Sequence, residues 1–152
     1  RLTVRRVAGR NPARVVIDPR GRLHDWSSLC TGDARCILIT GPDVRPEVPD
    51  NVEVLRLSIS GEGFDPEAIR ALLAEQGFRR VLIEGGGATI SRFLTNGSLD
   101  RLHLLIAPMI IGAGPTGLQL PPIERIDEAI RPRTTIHRLG EEVLIDCDFS
   151  GA

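Results

Sequence analysis

Aromatic residues are scarce in this chain of 152 residues: four Phe, one Trp and no Tyr. That leaves no stacking platform for single-stranded nucleic acid. An excess of either charge is lacking too. The 19 basic and 20 acidic residues give a net charge of −1 and are interspersed along the chain. This argues against nucleic acid or an anionic membrane surface as the main partner, while leaving room for a local basic pocket. No apolar run approaches the ~18 residues that a membrane-spanning helix needs. The first stretch is basic and alternating rather than apolar, so no signal peptide is expected. Cysteine is limited to Cys30, Cys36 and Cys147. An odd count without paired motifs fits reduced thiols and a cytoplasmic location. His24 lies near the first two cysteines, but the spacing matches no common zinc site, so no metal is expected.

The chain is organised around Val81-Leu82-Ile83-Glu84-Gly85-Gly86-Gly87-Ala88-Thr89-Ile90. Val81 to Ile83 read as a short buried strand. Glu84 sits at its end, and three glycines follow. Without side chains the turn can take positive φ and let a ligand approach its amides. Ala88 to Thr95 carry Ile90, Phe93 and Leu94 at helical spacing. A helix opening after a glycine turn presents unpaired N–H groups and the positive end of its dipole, which is a place to hold phosphate. No Walker sequence follows, and the pattern is not G-x-G-x-x-G. A tight strand-to-helix turn without a ligand accounts for the same residues.

The remaining elements are legible in order. Residues 1–5 alternate and read as a strand or extended entry, so the sequence is expected to start inside a larger domain. Residues 14–18, 36–40 and 52–57 read as strands, with Gly41-Pro42 closing the second. Trp26 is the one large anchor of an irregular stretch. Asp65-Pro66-Glu67 opens a helix, and Gly77 is placed to end it. Residues 101–107 form a further strand. In it His103 reads as a structural or half-exposed histidine rather than an acid–base group. The apolar start of residues 109–122 extends that strand before a glycine- and proline-rich loop. The sequence assigns no role to residues 109–133. Thr134–Leu139 and Glu142–Phe149 pair as a hairpin across Gly140-Glu141. The order implies one α/β domain over 1–152, incomplete at its N-terminus. Its sheet is expected to be mostly parallel and central, flanked by helices, with a C-terminal antiparallel hairpin. At this size about 70% of the unfolded surface is buried on folding.

Several stretches taken together resemble one family. They are Arg1-Leu2-Thr3-Val4-Arg5, Arg10-Asn11-Pro12 with Arg14-Val15-Val16-Ile17-Asp18, Glu84-Gly85-Gly86-Gly87-Ala88, Leu99-Asp100-Arg101-Leu102, and Ile106-Ala107-Pro108 with Ile110-Ile111-Gly112. In this order they are similar to the reductase domain of the bifunctional deaminase/reductase of riboflavin biosynthesis and its stand-alone relatives. The resemblance implies a dihydrofolate-reductase-like fold, a homodimer, and NADPH-dependent reduction of a ribosylamino-pyrimidine 5′-phosphate to its ribitylamino product. Glu84, Arg5 and Leu2 then match substrate-side positions, with Arg5 on the ribose phosphate, where a planar guanidinium can bind two oxygens at once. Gly86, Gly87, Ala88, Thr89, Ile90, Ser91 and Arg92 match the cofactor's phosphate loop and helix start. Arg20, Arg22 and Arg92 are the candidates beside a 2′-phosphate. No proton donor is assigned, and water can serve. The family's first strand, first helix and Asp-Asp-Pro segment have no counterpart here, nor does the deaminase half with its zinc motif. Two other readings stand beside this one: another reductase of the same fold acting on a pterin-like or unrelated substrate, and a non-catalytic nucleotide-binding or dimerisation module. From spacing alone a solvated strand-edge charge is the favoured account of Arg5, and a carboxylate at a helix start is the alternative for Glu84.

Overall fold

Cys36-Ile37-Leu38-Ile39-Thr40 is buried at every position, and the first half of the chain is laid around it. A computed structural model describes residue 4 and residues 7–30, 32 and 34–150 of the protein. Three strands form a parallel sheet in the order β1-β2-β3: β1 (Arg14–Ile17), β2 (Cys36–Thr40) and β3 (Val52–Arg56). The register sets Val16 beside Leu38 and Leu38 beside Val54. Side chains on both faces of β2 are buried, which is why this run carries no alternation of polar residues. Among the described residues of the two crossovers, 18–35 and 41–51, none is helical. Trp26 fills the space over the sheet, packed with Cys36, Leu38 and Val52.

Polar groups fasten the crossovers to the sheet. Arg14 is buried in β1, and its guanidinium donates to the Leu29 carbonyl. Asp18, also buried, accepts from the Leu23 amide at 2.8 Å and the Arg20 amide at 3.3 Å. A short carboxylate that bonds the backbone ahead of it is the usual device for folding a turn after a strand. Arg56 donates to the Gly41 carbonyl at 3.0 Å and to that of Val44.

The helix α1 (Pro66–Glu75) starts as its sequence dictates. Asp65 accepts the Glu67 amide at 3.1 Å, and Pro66 takes the first helical position. Gly77, at φ 85°, ends it. The Gly77 amide bonds the Ala74 carbonyl, and the Phe78 amide bonds that of Leu73, which is a Schellman cap.

The chain divides into two units, Arg1–Leu72 and Leu73–Ala152. The second holds α2 (Gly87–Thr95) and an antiparallel sheet of β4 (Arg101–Ile106), β5 (Arg133–Leu139) and β6 (Glu142–Asp148), in the order β4-β6-β5. β5 and β6 are the expected hairpin. Leu139 pairs with Glu142 across the two-residue turn, and Gly140 supplies φ 69°. One face of this sheet is charged. Asp146 lies 3.4 Å from His103 and 3.7 Å from Arg101, and Asp148 lies 3.1 Å from Arg133. His103 is therefore a half-exposed structural partner of a carboxylate, as its strand position suggested. A 3₁₀ turn, Ile126–Glu128, interrupts the otherwise irregular stretch between β4 and β5.

Three expectations are corrected here. Among the described residues, two three-stranded sheets, one parallel and one antiparallel, stand where one central, mostly parallel sheet was expected. Val81-Leu82-Ile83 is not a buried strand: no regular structure forms there, and Val81 and Leu82 are 50% and 75% exposed. A strand exists only against a neighbour that takes up its amides and carbonyls. Among the described residues none pairs with this run. The strand at 101–107 also stops at Ile106, and Ile110 and Ile111 lie exposed in the loop. Leu2 and Arg5, like most of the expected first strand, lie outside the described residues. Among the described residues no helix is long and apolar enough to cross a membrane.

Candidate active site

The glycine turn and α2 are built as the sequence implies at the helix and differently at the turn. Gly86 is the N-cap, with φ −66° and ψ 165°, and no side chain caps the helix. Its carbonyl takes the Thr89 and Ile90 amides at 3.0 and 3.3 Å. The Gly87 and Ala88 amides precede the first helical acceptor and have no partner within the helix. They form the positive end of the α2 dipole, with no acidic side chain in the first turn to neutralise it. Phe93 and Leu94 are buried and Ile90 half-buried, so the apolar stripe anchors the helix. At the other end Gly97, at φ 71°, closes α2 with a second Schellman cap: the Gly97 amide reaches Leu94 and the Ser98 amide reaches Phe93.

None of Gly85, Gly86 and Gly87 has positive φ. Their need for glycine is one of space, and it differs from residue to residue. A Cβ on Gly87 would lie 2.5 Å from the Gly117 carbonyl oxygen and 2.8 Å from that of Thr116. A Cβ on Gly85 would press on the Thr89 side chain at 2.9 Å. Around Gly86 a Cβ would meet nothing within 4 Å. The open approach to the amides is therefore at Gly86, whereas Gly87 is glycine because the chain itself closes over it.

The loop that closes over it is tied down by Ser91. This side chain is buried, and its hydroxyl accepts the Gln119 amide at 2.7 Å. The Gln119 side chain in turn donates to the Thr116 hydroxyl at 3.0 Å. Thr116, Gly117 and Gln119 thus belong to the surroundings of the helix start, in a stretch to which the sequence assigned no role. Their only local signal is a run of small residues, and nothing in it points to residues 28 positions away.

The candidate residues fall into four groups. Gly86, Gly87, Ala88 and Thr89 come together at the open end of α2, with exposed Glu84 two residues ahead of the N-cap. Ile90 and Ser91 turn into the packing of the helix, and Arg92 is exposed in its last turns. Arg5 and Leu2 are not placed. In the first unit Arg20 and Arg22 follow the Asp18 turn, both exposed. Among the described residues no three His, Cys, Asp or Glu side chains cluster as a metal site.

Comparison with known proteins agrees across most of the chain. The model of the RibD C-terminal domain family matches residues 1–143. The 2,5-diamino-6-ribosylamino-4(3H)-pyrimidinone 5′-phosphate reductase of Methanothermobacter thermautotrophicus is 31% identical over 99% of this chain and 74% of its own length. The riboflavin biosynthesis protein RibD of Aquifex aeolicus is 32% identical over 95% of this chain and 41% of its own. The fold resembles the crystal structure of a diaminohydroxyphosphoribosylaminopyrimidine deaminase/5-amino-6-(5-phosphoribosylamino)uracil reductase from Thermotoga maritima. There the TM-score is 0.78 at 26% identity, over 97% of this chain and 40% of that one. The chain thus spans about three quarters of the archaeal reductase and about two fifths of the two bacterial proteins. The mixed α/β, dihydrofolate-reductase-like class expected from the sequence stands. The chain belongs to the RibD C-terminal domain family.

Proposed function

We propose that this chain reduces a ribosylamino-pyrimidine 5′-phosphate to the ribitylamino product in riboflavin biosynthesis, with NADPH as the hydride donor. The observation that carries this reading is the open glycine start of α2 in a chain of this family. Unpaired amides, an unneutralised helix dipole and free space at Gly86 form one place suited to a pyrophosphate. When bound there, NADPH supplies the hydride. The chain's own residues bind and orient. The Gly87 and Ala88 amides hold phosphate oxygens, and the Thr89 hydroxyl lies in the same helical turn. Gly86 keeps the approach clear. Glu84 precedes the turn, where its carboxylate can accept from the pyrimidine's N–H groups and so set the sugar relative to the donor. Arg5 takes the ribose phosphate and Leu2 lines the substrate side. Catalysis in this arrangement is mainly positioning, since holding two reactants in contact removes most of the entropic barrier. The donated proton comes from water. The working form is a homodimer in the cytoplasm.

A thermal melt with NADPH, with NADH and with neither tests the cofactor. A ligand at about 100 times its Kd adds roughly 2.7 kcal/mol. In a domain of this size that raises Tm by about 5–10 °C. A rise with NADPH alone is the expected result. Equal curves in all three conditions would overturn the cofactor assignment.

A further inference from the structure

Two thiols that the proposed reduction does not use lie against each other in the first unit. Cys36 opens β2, between Arg14 of β1 and Val52 of β3, and is 1% exposed. Cys30 ends the turn that carries Trp26: the Leu29 and Cys30 amides both bond the Trp26 carbonyl, at 3.0 and 3.1 Å. The turn is held over the sheet by Arg14, whose guanidinium donates to the Leu29 carbonyl. The Cys30 and Cys36 sulfurs are thereby brought to 2.6 Å. A disulfide bond is about 2.05 Å long, so closing it requires a shift of roughly half an ångström. Both cysteines are free thiols, and the third, Cys147, is buried in β6 of the other unit.

We propose that Cys30 and Cys36 are a reversible dithiol–disulfide site, oxidised by a peroxide and reopened by a dithiol reductant. The environment assigns the order of events. Burial, followed by the hydrogen bond with Cys30, pushes the Cys36 thiol up to about 12, so it stays protonated. Cys30 is only partly buried and is the one that a small oxidant reaches. Its thiolate attacks one oxygen of hydrogen peroxide; the O–O bond breaks, giving the sulfenic acid and hydroxide. The Cys36 sulfur then displaces the hydroxyl from the Cys30 sulfur, and its proton leaves with that hydroxyl as water. The proton first lost by Cys30 neutralises the hydroxide. Two thiols and one peroxide thus give one disulfide and two waters. A dithiol reductant reverses the bond by exchange, becoming a disulfide itself. Disulfides of this transient kind are the ones compatible with a reducing compartment. Closure would pin the turn carrying Trp26 to the first residue of the central strand, tying down one wall of the core.

The test is exposure of the native, reduced protein to a slight excess of hydrogen peroxide. Quenching, denaturation and alkylation of the remaining thiols follow, with mass analysis of the intact chain and its peptides. The wild type has three thiols to start from. It should end with one, on Cys147, and lose the mass of two hydrogen atoms. A peptide linking residues 30 and 36 should be present, and dithiothreitol should restore all three thiols. Cys30→Ser should keep both of its remaining thiols under the same treatment. Cys36→Ser should instead stop at the sulfenic acid of Cys30, trapped by dimedone, so a loss of folding in one variant does not remove the test. Three thiols surviving in the wild type, a sulfinic acid on Cys30 beside a free Cys36, or cross-links only between chains would each overturn the proposal.

Discussion

Two adjacent glycines should respond to substitution in opposite ways, which separates binding from packing at the start of α2. Gly86 has φ −66° and ψ 165°, a backbone that any L-residue adopts, and open space where a side chain would go. Gly86→Val should leave the fold intact. Its branched side chain would stand in the approach to the Gly87 and Ala88 amides. Charge-assisted hydrogen bonds are worth about 1.5–3 kcal/mol each. Loss of one or two weakens NADPH binding by roughly 10- to 100-fold or more. Gly87→Ala is the converse. Its Cβ would sit 2.5 Å from the Gly117 oxygen and 2.8 Å from the Thr116 oxygen. Both neighbours are backbone and cannot swing aside. Overpacking of this kind costs about 1–3 kcal/mol. For a chain of this length that lowers Tm by roughly 3–10 °C. The assay is a melt of each variant without ligand, followed by NADPH titration at a temperature where both are folded. Wild-type affinity in Gly86→Val together with a wild-type Tm in Gly87→Ala would refute the assignment of both glycines. A large Tm loss in Gly86→Val alone would refute the open space at the N-cap.

Ser91→Ala removes the acceptor of the Gln119 amide. Loss of a part-buried hydrogen bond costs about 0.5–1.5 kcal/mol, so the variant should melt a few degrees lower, and Ser91→Thr should recover part of the loss. Proteolysis within residues 112–120 should quicken in Ser91→Ala; an unchanged cleavage rate would detach the loop from the helix. Asp148 gives a prediction for pH. The Ser150 hydroxyl and amide, with Arg133 adding its charge, hold this carboxyl below its ordinary value. A carboxyl whose pKa is lower folded than unfolded contributes stability above the unfolded value, and that contribution disappears as pH falls through the folded one. Asp148→Ala should therefore melt below wild type at pH 7, with the gap closing below about pH 4. A gap that persists in acid would mean that the residue acts through packing.

How much of this protein was legible depends on the range of the interaction involved. The run Cys36–Thr40 with Gly41-Pro42 behind it, Asp65-Pro66 before α1, Gly77 after it and Gly140-Glu141 between two alternating stretches all carry their instructions within a few residues. Propensity, capping and turn chemistry act at that range, so these elements appear where the sequence places them, to within a residue or two. The helix start at Gly86 belongs to the same class. Val81-Leu82-Ile83 does not. Its composition suits a strand, but composition does not provide a neighbour, and among the described residues none pairs with it.

The same limit applies to the site. By itself the sequence determined that a glycine turn opens a helix behind Glu84, and that the turn has no side chain to block a phosphate. Only the tertiary structure decided which glycine serves which purpose, because Gly117 closes on Gly87 from 30 positions away and leaves Gly86 open. It also decided that the Ser91 hydroxyl is taken by Gln119, and that Cys30 and Cys36 meet over the sheet. The physical reason is common to all three. Local preferences are written in adjacent residues, whereas steric exclusion and side-chain pairing arise only when folding brings distant segments within a few ångströms of each other.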